Sequence, residues 1–232
     1  MPRTARVVGD SGIYHVMLRG INRQRIFEDD EDRDRFLDIL KKAKEKDGFD
    51  LIAWCLMPNH MHLLIHENDV KLETIFRRIG ASYVYWYNAK YVRTGHLFQD
   101  RFKSEPVEDD AYFLTVIRYI HRNPVKAGLC EKPEAYAYSS LKNYFEKDGL
   151  HDSQMVLEMM DEAQFKAWNA QAVEEKCMDM ADQPRKRLTD SRAWDVIRRG
   201  SGCETTAEFQ GLERSKRDEV LRKALKEGVS IR

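Results

Sequence analysis

His60 and His62 flank a single methionine in the run HMHLLIH (60–66). In an extended strand alternate side chains leave the same face, so the two imidazoles would project together and supply half of a metal site. His66 shares their parity, so the pattern is equally that of a solvated sheet face that carries histidine. The second run with chemical content is RYIHRNPVKAGL (118–129), where Tyr119 and Asn123 lie four positions apart and share a helix face. The Asn123 amide oxygen is a neutral hard ligand suited to Mg2+ or Mn2+. A tyrosine beside such a ligand, facing two histidines, describes a centre for metal-assisted phosphoryl transfer. Periodicity also allows Tyr119 to be a core aromatic. Tyr112 lies two turns earlier on nearly the same face, and periodicity does not choose between them.

The elements that must position these residues read as β-α-β-β-α-β-α. IYHVMLR (13–19) is rich in strand formers and alternates, which predicts a first strand. Residues 29–47 run from an acidic start through Phe36, Leu37, Leu40 and Ala43 to Gly48, a helix with its start and stop signals. FDLIAWCLM (49–57) reads as a buried second strand, Pro58-Asn59 as a turn, and residues 60–66 as its hairpin partner. Residues 70–91 predict a second helix that ends in Tyr83, Tyr85, Trp86, Tyr87 and Tyr91. A fourth strand is expected around 102–107, and Asp109-Asp110 opens a third helix that Pro124 should stop, leaving Asn123 at its end. The fold class expected is therefore α+β: a ferredoxin-like antiparallel sheet with helices packed on one face, plus a helical C-terminal extension. A catalytic domain would occupy 1–147 and a mostly helical extension 148–232. The tail holds PRKR (184–187) and the helical stretch ERSKRDEVLRKALKEG, with Leu212, Val220, Leu221, Ala224 and Leu225 on an apolar side. Gly228 would end that helix and Ser230 would cap another, which suggests either a truncated helix-turn-helix module or a C-terminal helix that simply frays.

The 232 residues suffice for one generous domain or a domain with an appendage, and 42% of them are hydrophobic, enough for a real core. No apolar run approaches the roughly 20 residues of a membrane span. The N-terminal stretch MPRTARVVGDSGIYHV lacks the apolar segment of a secretory signal. Four scattered cysteines form no CxxC pair, so a reducing cytoplasm is expected. The 39 basic and 39 acidic residues cancel, but residues 1–25 carry five arginines against Asp10 alone. Local positive charge of that kind is what a nucleic-acid face requires.

HMH preceded by Met-Pro-Asn, with YIHRNPVKAGL downstream, resembles the single-tyrosine HUH transposases, in particular the REP-associated tyrosine transposases. GIYHVMLRGINRQRIF (12–27), AWCLMPNHMHLLI (53–65) and GHLFQDRFKS (95–104) extend the resemblance over roughly residues 10–145. It implies a ferredoxin-like sheet that acts on single-stranded DNA, often beside a hairpin. It implies His60, His62 and Asn123 as ligands of Mg2+ or Mn2+, and Tyr119 rather than Tyr112 as nucleophile. Cleavage would leave a 5′-phosphotyrosine link and a free 3′-hydroxyl, so strands could be rejoined without ATP. DNA contacts are expected from Arg19, Arg23 and Arg25 after the first strand and from Arg101 and Lys103 near the fourth. Tyr83, Tyr85, Trp86 and Tyr87 would stack on bases or pack into the core. Two other readings stay open: a catalytically idle DNA-binding regulator on the same fold, and a metal hydrolase that uses water. Monomer and homodimer are both compatible with the sequence.

Overall fold

A computed structural model describes residues 6–145, 149–171, 177–178 and 190–226. The first strand, β1 (Ile13–Arg19), is followed by helix α1 (Asp30–Asp47), then by β2 (Asp50–Met57) and β3 (His60–His66). Helix α2 (Leu72–Lys90), β4 (Lys103–Pro106) and helix α3 (Asp110–Lys126) complete the expected order. The ends of α1 are set by local chemistry. The Asp29 side chain accepts from Asp32 N–H in a capping box, and Gly48 closes the helix at φ 70°. The four strands form one antiparallel sheet in the order β2-β3-β1-β4. The hairpin through Pro58-Asn59 sets Met57 opposite His60, and β3 then inserts between β2 and β1. This is the split βαβ arrangement of the ferredoxin-like plan.

The helices lie on both faces of this sheet, which corrects the expected one-sided packing. Tyr14, Val16, Leu18, Trp54, Leu56, Met61 and Leu63 face α1 and α2. Ala53, Cys55, Met57 and Leu64 face α3. The reason lies in β2, where every residue from Leu51 to Met57 is buried. A strand apolar on both sides needs a layer on each. Helix α3 also runs past Pro124 to Lys126, so Asn123 lies inside it, one turn before the end. Proline removes one donor in the last turn, and Ala127 N–H still reaches the Asn123 carbonyl at 3.0 Å. Both Asn123 and Pro124 are buried there.

Compact packing divides the chain into Met1–Met178 and Asp179–Arg232. Residues that the sequence groups with the extension thus belong to the first unit. Helices α4 (Gln154–Leu157) and α5 (Glu162–Ala170) bring Val156 and Phe165 into the core around α3. Asp152 accepts from Leu51 N–H at 2.7 Å and ties this segment to β2. In the second unit, α6 (Asp190–Ser201), α7 (Thr206–Gly211) and α8 (Arg214–Lys226) share small clusters around Val196, Phe209, Val220 and Ala224. PRKR (184–187) and the Gly228–Ser230 signals fall outside the described residues. Among the described residues no helix is long and apolar enough to cross a membrane.

Candidate active site

Strand alternation does what the HMH spacing requires. His60 and His62 leave β3 on the α3 face, opposite Met57 and Cys55 of β2 and opposite Arg19 and Met17 of β1. His66 keeps the parity but sits at the far end of the strand, where its Nδ1 lies 3.0 Å from Asp50. From above, α3 presents Tyr119 and Asn123 on consecutive turns. The Tyr119 ring stands edge-on to His62 at 5.5 Å between centroids. The Asn123 Nδ2 lies 3.3 Å from His62 Nε2. Tyr112 belongs elsewhere: its hydroxyl donates to Glu105 of β4 at 2.7 Å. Burial and that carboxylate push its phenol upward.

Two residues that sequence reasoning missed complete the cluster. His15 is fully buried, with its Nε2 3.0 Å from His62 Nδ1 and its ring 5.8 Å from that of Tyr119. Lys126 holds its ammonium 5.4 Å from the Tyr119 ring centroid. His15 sits in an alternating strand, but nothing local in sequence says that β1 will lie beside β3. His62 is held well below the ordinary histidine range, first by burial and then by the charges of His15, His60 and Lys126. It is therefore neutral at physiological pH, the state in which imidazole binds metal.

The donor set fits a small divalent cation. His60 and His62 offer nitrogens, and the Asn123 amide, already at His62 Nε2, offers an oxygen on rotation of its plane. Among the described residues no group of three His, Cys, Asp or Glu could hold a metal. The basic residues gather at the His60 end of the sheet. Arg19 pairs across from His60, and Arg23 follows in a turn where it and Asn22 adopt φ 61° and 51°. The chain before Arg101 runs alongside, with Ile21 N–H on the Leu97 carbonyl and Gln99 N–H on the Arg19 carbonyl, each at 2.9 Å. Arg101 and Lys103 are exposed. Arg25 is exposed as well and faces Glu28 at 3.9 Å. Of the aromatic run on α2, Tyr83 and Tyr87 are buried in the core and Tyr85 is 81% exposed.

Residues 10–123 match the family model described as transposase, IS200-like. A protein of Haemophilus influenzae, provisionally named a REP-associated tyrosine transposase, is 32% identical over 117 residues, which is 45% of this chain and 66% of that one. A REP-associated tyrosine transposase of Escherichia coli is 25% identical over 101 residues, 43% of this chain and 58% of the relative. The chain thus spans less than two thirds of the length of either. Among solved structures, a REP-associated tyrosine transposase bound to a REP hairpin shares the fold, with a TM-score of 0.58 at 18% identity over 79% of this chain and 98% of that one. The matched segment contains His15, His60, His62, Tyr119 and Asn123, and over residues 10–123 the chain belongs to the IS200-like transposase family.

Proposed function

We propose that this chain cuts and rejoins single-stranded DNA beside a hairpin, with Tyr119 as the nucleophile. The observation that carries the reading is the placement of Tyr119 edge-on to His62, one helical turn from an asparagine in contact with the same histidine. His60, His62 and Asn123 would hold a Mg2+ or Mn2+ ion, which when bound would supply Lewis-acid stabilisation of charge on the scissile phosphate. The remaining steps belong to the chain. The Tyr119 hydroxyl loses its proton to solvent or a base and its oxygen attacks phosphorus. The P–O3′ bond breaks, the departing 3′-oxygen takes up a proton, and the 5′-phosphate stays on Tyr119. The Lys126 ammonium, set over the same ring, favours the negative charge that develops there. Attack by another 3′-hydroxyl reverses the step and joins strands, because the link conserves the phosphodiester energy. Arg19, Arg23, Arg25, Arg101 and Lys103 would hold the DNA backbone. The hairpin partner is proposed from the solved relative, which was captured with one.

The test is a denaturing gel of end-labelled hairpin DNA carrying a single-stranded flank, incubated with the protein and Mn2+. A slow covalent adduct is expected, lost in Tyr119→Phe and kept in Tyr112→Phe. Cutting that persists in Tyr119→Phe without an adduct would assign the centre to a water-using hydrolase. Binding without cutting in the unmodified chain would assign it to a DNA-binding regulator.

A further inference from the structure

Both ring nitrogens of His62 are engaged. Its Nε2 faces the Asn123 amide nitrogen at 3.3 Å and its Nδ1 faces His15 Nε2 at 3.0 Å. An amide nitrogen only donates, so Nε2 carries the lone pair and the ring hydrogen lies on Nδ1. His15 Nε2 then accepts it. His60 repeats the arrangement through a different partner. Its Nδ1 lies 2.7 Å from Asn59 Oδ1, while Asn59 Nδ2 donates to the Arg23 carbonyl at 3.4 Å. A carbonyl only accepts, so Arg23 holds the Asn59 amide with its oxygen toward the ring, and His60 must donate from Nδ1. Two unrelated residues on two elements thus lead to the same tautomer.

We infer that His15 and Asn59 are positioning residues that fix His62 and His60 in the Nδ1–H tautomer and so present both Nε2 lone pairs to one divalent cation. The cation in this statement rests on the proposed function; the tautomers do not. A third histidine in such a cluster invites assignment as a third ligand, but His15 is placed otherwise. It meets His62 on the Nδ1 side, whereas Asn123 meets it on the Nε2 side. The inference also gives a reason for a fully buried imidazole at position 15, on a sheet face that apart from His60 and His62 is lined by residues such as Ala53, Cys55, Met57 and Leu64. A leucine there would avoid the desolvation cost of a polar ring, and the hydrogen bond to His62 is what a leucine would lack. An imidazole without such a partner populates both tautomers and turns about its side-chain torsions. Fixing both removes that loss before a metal arrives.

The experiment uses the full chain, with histidine labelled in 15N and no metal added, and reads each ring's tautomer by long-range proton–nitrogen correlation. His60 and His62 are both expected as Nδ1–H. In His15→Leu the His62 signals should move toward a tautomer mixture while His60 stays unchanged, and Asn59→Ala should do the converse. His15→Gln, whose amide oxygen can accept from Nδ1, should restore much of the His62 pattern. In parallel calorimetric titrations with Mn2+, His15→Leu and Asn59→Ala should each weaken binding by roughly 10–100-fold. His62 found as Nε2–H in the unmodified chain, or an unchanged tautomer and Mn2+ affinity in His15→Leu, would overturn the inference. Should His15→Leu fail to fold, the unmodified chain and His15→Gln still decide it. If the unmodified chain shows both Nδ1–H tautomers but binds no Mn2+, the proposed metal centre fails and the tautomer assignment stands.

Discussion

His121 lies midway between Tyr119 and Asn123 on α3 but points away from them, and it makes the stability of this helix depend on pH. Its Nδ1 faces Asn169 Oδ1 of α5 at 3.1 Å, and its Nε2 faces Ser140 Oγ at 2.9 Å. Asn169 Nδ2 donates to the Phe165 carbonyl, which turns the amide oxygen toward the ring. Ser140 Oγ accepts from Trp54 N–H, so the same contact ties α3 to β2. Burial, the largest influence, lowers the His121 pKa from 6.5 to about 3; the Asn169 bond opposes this and the His151 charge adds to it. The folded pKa lies below the unfolded one, so the neutral ring stabilises the fold fully above pH 6.5. That contribution is lost as pH falls from 6.5 toward 3. Each unit is worth about 1.4 kcal/mol, so the loss between pH 7 and pH 5 is about 2 kcal/mol. Urea unfolding of the full chain, followed by tryptophan fluorescence at pH 5, 6 and 7, reads this directly. His121→Gln keeps a hydrogen-bonding group without the titration. It should be less stable at pH 7 by roughly 1–3 kcal/mol, and the gap to the unmodified chain should shrink by about 2 kcal/mol at pH 5. His62 titrates in the same direction in both proteins and cancels in the difference. A gap that stays constant from pH 7 to pH 5 would refute the reasoning.

Asn123→Ala removes the proposed oxygen ligand and should raise the Mn2+ needed for DNA cleavage at least 10-fold. The defect should shrink as Mn2+ is raised, whereas that of Tyr119→Phe should not respond. A lowered melting temperature with an unchanged metal requirement would assign Asn123 to structure. Replacing Arg23, Arg101 or Lys103 by glutamine should weaken single-stranded DNA binding and reduce the slope of log affinity against log salt by about 0.7 per lost phosphate contact. A slope unchanged in all three would remove them from the DNA face. Hairpin DNA with a single-stranded flank should be cut and a blunt duplex should not; equal cutting of both would contradict the proposed substrate. Asp29→Ala removes the α1 cap, in which Asp29 accepts from Asp32 N–H at 3.0 Å, and should cost about 1 kcal/mol in urea unfolding.

Local patterns in the sequence were enough to place most elements and half of the site. The alternation of residues 60–66 sends His60 and His62 to one face whatever surrounds them, because side-chain direction in a strand is a local property. Asp29 and Gly48 delimit α1 for the same reason. The spacing of Tyr119 and Asn123 likewise guarantees that they share a helix face. What spacing could not supply was which of Tyr119 and Tyr112 stands beside His62: the crossing of α3 over β3 brings Tyr119 there, while Tyr112 meets Glu105 on a neighbouring strand. Nor could it supply His15, which lies 47 residues from its partner and meets it only because β1 pairs with β3. The placement of α3 on the opposite face from α1 and α2, and its continuation past Pro124, were decided by burial of a sheet apolar on both sides. That packing outweighs one missing backbone donor and the local preference of the residue before a proline. Contacts made between distant segments depend on which surfaces remain to be covered after the local elements form, and that balance exists only in the assembled core.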